Sequence, residues 1–182
     1  MDCFDGAPHP RGRLASFSGN CGQPRSQSGP PDPIPRQRET VQASIRAENV
    51  AIIERVYGLL QAFDVEAFAM HVHPDFTVDA PNSLPYGGLT RGTEEMKDRM
   101  SSFARYWDEP TFNVHAITAD DEALVTAHVT LCAVGKATGE RLEMEVVEVW
   151  SIEGGRISSQ RTFYFDPVVA RRAAGVTSEP ST

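Results

Sequence analysis

The chain has 182 residues, of which 40% are hydrophobic and 23% are charged, and its formal net charge is −8. This composition is typical of a globular domain, and the acidity argues against a nucleic-acid or anionic-membrane binder, which would need a basic surface. No apolar run approaches the roughly 20 residues that cross a bilayer, and the N-terminus lacks the apolar stretch of a secretory signal. We therefore expect a cytoplasmic protein that binds neither nucleic acid nor membrane.

The N-terminal part of the chain differs in composition from the rest. It is rich in Gly, Pro, Ser and Arg and shows no hydrophobic period. Such a segment cannot bury enough apolar surface to offset the entropy lost on ordering. We predict a disordered tail over residues 1–43, one domain over residues 44–170, and a flexible C-terminal tail over residues 171–182.

Helices are predicted first along the domain. Apolar residues recur at helical spacing up to Phe63, which indicates a long amphipathic helix beginning near Ser44 or Asn49. Asp64 then has the position of an N-cap for a short second helix, which Pro74 ends.

A short strand over residues 75–81 follows, then a loop, and then a third helix. The stretch VDAPNSLPYGGLTRG, residues 78–92, contains three Gly, two Pro and a single tyrosine, Tyr86. We interpret it as the rim of a pocket, although turn residues of these types also make a simple tight connection. The third helix opens at Thr93 with acidic residues in its first turn, as the helix dipole favours.

After Trp107 the hydrophobic period changes to two. Four strands are predicted over residues 111–118, 123–134, 141–152 and 156–165, separated by turn sequences. Helices before a run of strands indicate an α+β fold, here a cone-shaped, curved antiparallel sheet with three helices packed on its concave side. The wide end of such a cone is difficult to fill with side chains, so we expect a small-molecule cavity there.

One carboxylate is placed among apolar residues in the third of these strands. Alternation puts Met144, Val146, Glu148 and Trp150 on one face. A carboxylate in that row loses solvation, so its pKa should rise toward a value useful in acid/base chemistry.

The fourth strand places Gln160, Thr162 and Tyr164 on one face, beside Glu148. A carboxyl and a phenol in one apolar pocket can polarise a carbonyl or move a proton. Alternatively, Glu148 is hydrogen-bonded to Tyr164 or Gln160, which satisfies a buried carboxylate without any catalytic role, or it faces solvent at a strand end.

Five segments together resemble a known family. ERVYGLLQAFDVEAF, HPDFTVDAP, LPYGGLTRG, VVEVWSIEGGRI and FYFDP occur in the order found in SnoaL-like proteins of the nuclear transport factor 2-like superfamily, which includes ketosteroid isomerase. The resemblance covers roughly residues 46–167 and implies the cone fold and a homodimer formed through the outer sheet face. Members of the superfamily include isomerases, polyketide cyclases, dehydratases, epoxide hydrolases and non-catalytic binding domains, so the fold does not select an activity.

The isomerase residues transfer only in part. The resemblance places Ala80 where the isomerase has its Asp base, with Asp79 one step away on the opposite strand face. It places Val56 where the isomerase has a helical tyrosine, with Tyr57 one residue further. The oxyanion-hole Asp falls at Glu148. The isomerase mechanism itself is therefore not expected here.

No metal or cofactor is predicted. His71 and His73 diverge near a helix end, and His115 and His128 lie within strands, so no ligand spacing is present. A Gly-rich phosphate loop and a GxSxG motif are both missing from the sequence. The odd count of three cysteines argues against a disulfide framework or a Cys-based zinc site.

These observations predict a cofactor-independent acid/base enzyme of the isomerase, cyclase or lyase type, acting on a small apolar molecule with a carbonyl or hydroxyl group. The alternatives are a non-catalytic small-molecule-binding or accessory domain of the same fold, and a protein-interaction module whose cone is filled by side chains. Glu148 and Tyr164 are the predicted catalytic residues. The predicted substrate-binding residues are Trp150, Met144, Tyr86, Val56, Leu60, Ala80, Gln160 and Thr162.

Overall fold

The structure is a computed structural model that describes residues 35–120 and 123–176, so most of the two predicted tails lies outside the described residues. The helices are α1 (Pro35–Gln61), α2 (Val65–Ala69), α3 (Gly92–Tyr106) and α4 (Pro167–Ala173). The strands are β1 (Val72–Ala80), β2 (Gly88–Arg91), β3 (Trp107–Ala119), β4 (Leu124–Gly135), β5 (Arg141–Glu153) and β6 (Arg156–Tyr164). In the described part of the chain, every helix is too short or too polar to cross a membrane.

The six strands form one curved, open sheet in the order β2-β1-β6-β5-β4-β3. Strands β3 to β6 make the predicted antiparallel meander, and the α+β fold class is confirmed. The prediction of an antiparallel sheet throughout is wrong for one pair, because β1 runs parallel to β6. No short turn joins these two strands, so their relative direction depends on the long path through α3 and the meander.

The Gly/Pro stretch contains an unpredicted strand. β2 pairs antiparallel with β1, so residues 81–87 form the turn of a hairpin. The Leu84 N–H donates to the Pro81 carbonyl at 3.0 Å, and the Gly87 N–H donates to the Leu84 carbonyl at 2.9 Å. Gly87 is required by close approach, because a Cβ there would lie 1.9 Å from the Pro81 carbonyl oxygen. This turn directs the buried Tyr86 ring inward.

Helix α1 begins at Pro35, earlier than the predicted start near Ser44 or Asn49. Residues 36–44 are exposed, and the first buried residue of the helix is Asn49. Arg, Gln and Glu are good helix formers without apolar contacts. The hydrophobic period therefore marks where α1 packs, and it gives no signal for the exposed turns before that point.

Helix α4 places the end of the packed chain beyond residue 170, the predicted domain boundary. Asp166 caps it by accepting from the Val168 and Val169 N–H groups, and Ala173 and Ala174 are buried. The prediction of a flexible tail from residue 171 is therefore wrong for these alanines, which pack as small residues where larger apolar side chains would have signalled burial.

The core lies between the sheet and helices α1, α2 and α3. Alternate β5 residues are buried, as the period of two predicts, and α1 adds Ile53, Val56 and Leu60. Asp64 is the N-cap of α2, as predicted, and accepts from the Ala67 N–H at 3.0 Å. Helices and sheet thus enclose one space, into which Glu148 projects.

The Gly87 turn can be tested with a matched pair of substitutions. Gly87→Ala should lower the free energy of unfolding by about 1–3 kcal/mol, because the new methyl overlaps the Pro81 carbonyl. Gly58→Ala, at an exposed position in the last turn of α1 with open space around it, should raise that free energy by about 0.5–1 kcal/mol. Urea unfolding followed by far-ultraviolet circular dichroism measures both, and a Gly87→Ala midpoint equal to that of the wild type would contradict the assignment.

Candidate functional site

A cavity of about 90 Å³ lies between the inner face of the sheet and helices α1, α2 and α3. Most of its wall is apolar, with Phe103 and Phe112 among the larger side chains. Its polar lining residues are Glu148, Gln160, Thr162, Tyr164, Tyr86 and Arg99. The site is therefore an apolar chamber with a few polar groups, the usual character of a small-molecule pocket.

Most of the predicted site residues meet in this cavity. Those that line it are Glu148, Tyr164, Tyr86, Leu60, Ala80, Gln160 and Thr162. They come from α1, β1, the hairpin turn, β5 and β6. The alternation of β5 and β6 thus identified the faces that line the cavity, and the hairpin stretch contributes one buried wall residue, Tyr86.

Trp150 and Met144 were predicted as walls and are buried outside the cavity lining. Trp150 packs edge-on against Tyr57, with 6.1 Å between ring centroids. The Met144 sulfur accepts from the Asp166 N–H at 3.4 Å, at the start of α4. Both share a strand face with Glu148, but the period of two does not say which other element covers the sheet at each level.

Val56 is the third predicted wall residue outside the cavity lining. It is fully buried in the core, whereas the next residue, Tyr57, reaches Glu148. One residue turns a helix by about 100°, so the two side chains leave α1 in different directions. The sequence did hold a signal, because Tyr57 follows Ile53 by four residues and precedes Leu60 by three, on the buried helical face.

Glu148 is only 7% exposed, and its carboxyl accepts three hydrogen bonds. Tyr57 Oη donates to Oε2 at 2.5 Å. Gln160 Nε2 and Thr162 Oγ1 donate to Oε1 at 2.8 Å and 3.3 Å. Burial raises the pKa of Glu148 above its ordinary 4.5, and the three donors act in the opposite direction. Burial and hydrogen bonding therefore have opposite effects on the pKa of Glu148.

Tyr57 remains a donor in this arrangement. Burial raises its pKa, and the negative charge of Glu148 raises it further. A phenol held neutral at physiological pH can donate to the carboxylate or accept from the carboxylic acid. The Tyr57–Glu148 pair can therefore remain hydrogen-bonded in both protonation states of the carboxyl.

A second polar group lies across the cavity. Trp107 Nε1 donates to Tyr86 Oη at 3.2 Å, and the Tyr86 and Tyr164 hydroxyls are 3.3 Å apart. Because an indole N–H can only donate, one acceptor position of Tyr86 is occupied and its own hydrogen can point to Tyr164. The Tyr164 hydrogen is then available to a ligand. Burial holds the pKa of Tyr164 well above its usual range, so the hydroxyl is protonated.

Arg99 is a cavity residue for which the sequence analysis made no prediction. Its Nη1 donates to the Gly88 carbonyl at 3.0 Å. Burial lowers its pKa, while Tyr164, Tyr86 and Asp79 act in the opposite direction. The signal was its helical spacing, since Arg99 follows the buried Met96 by three residues.

The position that the resemblance assigns to the isomerase base, Ala80, carries only a methyl group. Ala80 lines the cavity, whereas Asp79 points to the other strand face and pairs with Arg161, with 3.1 Å from carboxylate oxygen to Nε. Glu148 is therefore the carboxyl that the cavity wall presents. Within residues 35–120 and 123–176, His, Cys, Asp and Glu side chains form no group of three that could hold a metal ion.

Solved structures share this architecture. An NTF2-like protein of unknown function from Burkholderia pseudomallei K96243 is similar with a TM-score of 0.65 and 18% identity, over 70% of this chain and 97% of that one. TerC co-crystallised with polyporic acid has a TM-score of 0.64 and 16% identity, over 70% and 98%. A putative SnoaL-like polyketide cyclase from Jannaschia sp. CCS1 has a TM-score of 0.64 and 14% identity, over 82% and 100%.

A comparison with curated protein sequences finds no match. The structural likenesses are below 25% identity and show the fold. The SnoaL-like domain profile matches residues 53–160, which is more than half of the chain and includes the elements that line the cavity up to Gln160. The chain therefore belongs to the SnoaL-like domain family.

Proposed function

We propose that this chain is a cofactor-independent acid/base enzyme of the isomerase, cyclase or lyase type, acting on a small, largely apolar molecule with a carbonyl or hydroxyl group. The observation that carries the proposal is the Glu148 carboxyl, buried in the wall of an apolar cavity with its pKa raised. A carboxyl whose pKa approaches the working pH can both give and take a proton. The similarity to a putative polyketide cyclase and to a protein crystallised with polyporic acid supports small-molecule chemistry.

Glu148 has the proton-transfer role in this proposal. As the neutral acid it donates its proton to a substrate oxygen, or as the carboxylate it removes a proton from a carbon next to a carbonyl. Tyr57, Gln160 and Thr162 stabilise the carboxylate through the hydrogen bonds described above. Burial stabilises the acid. Burial outweighs the three hydrogen bonds, so the pKa of Glu148 lies above its ordinary value, in the direction that a proton carrier at neutral pH needs.

Tyr164 has the role of hydrogen-bond donor to the substrate oxygen. It pairs with Val146 in the sheet, whereas Thr162 pairs with Glu148, so Tyr164 is displaced by two residues along the strand. Such diagonal neighbours have backbones about 7–8 Å apart, which leaves room for a ligand group between the two side chains. The Trp107–Tyr86 hydrogen bonds support the arrangement in which Tyr164 donates into the cavity.

A non-catalytic binding domain is the second candidate, and one observation favours it. Glu148 already has three donors, and a buried polar group satisfied in this way needs no catalytic explanation. The cavity volume of about 90 Å³ restricts either function to a small ligand, unless Met96 and Met100 change rotamer to enlarge it.

The raised pKa of Glu148 is the first property to measure. Carboxyl-carbon NMR titration, assigned with Glu148→Gln, should give a value above 4.5. Tyr57→Phe should raise it further, because that hydroxyl stabilises the carboxylate. A wild-type value at or below 4.5 would exclude the acid/base role and leave the binding function.

The same shift should appear in the pH dependence of stability. Because the folded-state pKa exceeds the unfolded one, the stabilisation is complete below 4.5 and is lost as pH rises through the folded-state pKa. Relative to Glu148→Gln, the wild type should lose about 1.4 kcal/mol of unfolding free energy per pH unit across that interval. Urea unfolding of both proteins at several pH values measures the difference, and parallel curves would contradict the shift.

Turnover separates the two functions. In a panel of enones, epoxides and polyketide-like ketones, any activity of the wild type should fall about 10²–10⁴-fold in Glu148→Gln, which cannot transfer the proton. Tyr164→Phe should lose about 10²-fold, because the hydrogen bond to the substrate oxygen is removed. Glu153→Gln, an exposed change at the last residue of β5, is the matched control and should retain full activity. Saturable binding without turnover would support the binding domain instead.

We also propose a homodimer through the outer sheet face. Val147 and Phe163 are paired across β5 and β6 on that face and remain 38% and 51% exposed. Phe163→Glu should convert a dimer to a monomer in sedimentation equilibrium, since it places a charge in an apolar interface. Phe165→Glu, at an apolar residue beyond the end of β6, provides the comparison and should leave the dimer intact. A monomeric wild type would contradict the proposal.

A further inference from the structure

We infer that the cavity binds a planar organic anion, either a carboxylate or the enolate of a 1,3-dicarbonyl compound, and that Arg99 recognises it. The inference rests on the proposed function in using the same cavity, and it names the chemical class of the ligand. The apolar wall would hold the body of the molecule, and Arg99 would hold its anionic end.

Arg99 has donors to spare at the cavity wall. A guanidinium carries five N–H donors in a planar fork. One nitrogen, Nη1, donates to the Gly88 carbonyl at 3.0 Å, and among the described residues no carboxylate lies within ion-pair distance of Arg99. The fork geometry matches a ligand that presents two oxygens in one plane, as carboxylates and 1,3-dicarbonyl enolates do.

Two carboxylates could serve as a counterion for Arg99, namely Asp79 and Glu148, but both interact with other residues. Asp79, whose charge raises the pKa of Arg99, has its ion pair with Arg161 instead, with 3.1 Å between Nε and the carboxylate oxygen. Glu148 lies in the cavity wall with three donors of its own, and Arg99 is not among them. A partly buried cation without a protein counterion is costly, so an anionic ligand would remove that cost.

The phenol pair adds to the same subsite. Arg99 lies close enough to Tyr86 and Tyr164 to lower the pKa of both hydroxyls against the effect of burial. The Tyr164 hydrogen, once Tyr86 donates to its oxygen, can serve as an additional donor to the anion. The neutral acid form of Glu148, favoured by burial, would leave the anion unopposed by a second negative charge.

Binding of benzoate and benzamide tests the assignment, because they are similar in shape and differ in charge. Isothermal titration of the wild type should show at least about tenfold tighter binding of benzoate. Arg99→Met should abolish this preference without weakening benzamide binding. Arg105→Met is the matched control, since it removes an exposed charge from the same helix, and it should preserve the preference.

A second pair of probes identifies the source of the anion. The cyclic 1,3-dione dimedone, which is largely ionised at neutral pH, is compared with cyclohexanone in the same three proteins. An Arg99-dependent preference for dimedone alone would identify an enolate ligand, and one for benzoate alone would identify a carboxylate. Both preferences together would establish the shared planar-oxyanion site.

The inference is overturned if neither anion is preferred over its neutral partner, if no saturable anion binding occurs, or if the preference survives Arg99→Met. If Arg99→Met does not fold, Arg99→Lys replaces it and should reduce the preference while retaining part of it, because the charge remains without the fork. Glu148→Gln should bind benzoate at least as tightly as the wild type. If that variant loses turnover and keeps the anion preference, the acid/base role of Glu148 and anion recognition by Arg99 are independent of each other.

Discussion

The burial of one carboxyl, Glu148, determines what the cavity can do. Its raised pKa comes from loss of water, so it depends on the helices that cover the sheet as much as on the strand that carries it. Tyr57 reaches it from α1, and Gln160 and Thr162 reach it from β6. A carboxyl buried without such donors would destabilise the fold. The hydrogen bonds therefore permit the burial, and the burial raises the pKa on which the proposed acid/base role depends.

Much of this arrangement could be predicted from the sequence. Alternation along β5 and β6 identified the face that carries Glu148, Gln160, Thr162 and Tyr164, because a strand has only two faces. The Gly/Pro stretch was interpreted as the rim of a pocket, with a tight connection as the alternative, and its composition did not reveal strand β2. Periodicity is local information, and it gives reliable results for properties that are themselves local.

The sequence did not show which helices and strands contact each other. The spacing of Tyr57 placed it on the buried face of α1, but its contact with Glu148 was missed because that contact depends on how α1 lies across the sheet. Trp150 was placed in the cavity wall for the same reason, since its level along β5 is covered by Tyr57. The parallel pairing of β1 with β6 and the hydrogen bond from Arg99 to Gly88 likewise join distant segments.

Whether three hydrogen bonds lock Glu148 or prepare it for reaction depends on how many acceptor positions they occupy. A carboxylate offers about four, and the described donors use three, with Thr162 at the long distance of 3.3 Å. Tyr57 can also change from donor to acceptor when the carboxyl is protonated, because a phenol does both. The network can therefore accommodate the neutral acid without breaking its shortest bond. The proposed proton carrier would need that adaptability, because its carboxyl changes protonation state with each proton transfer.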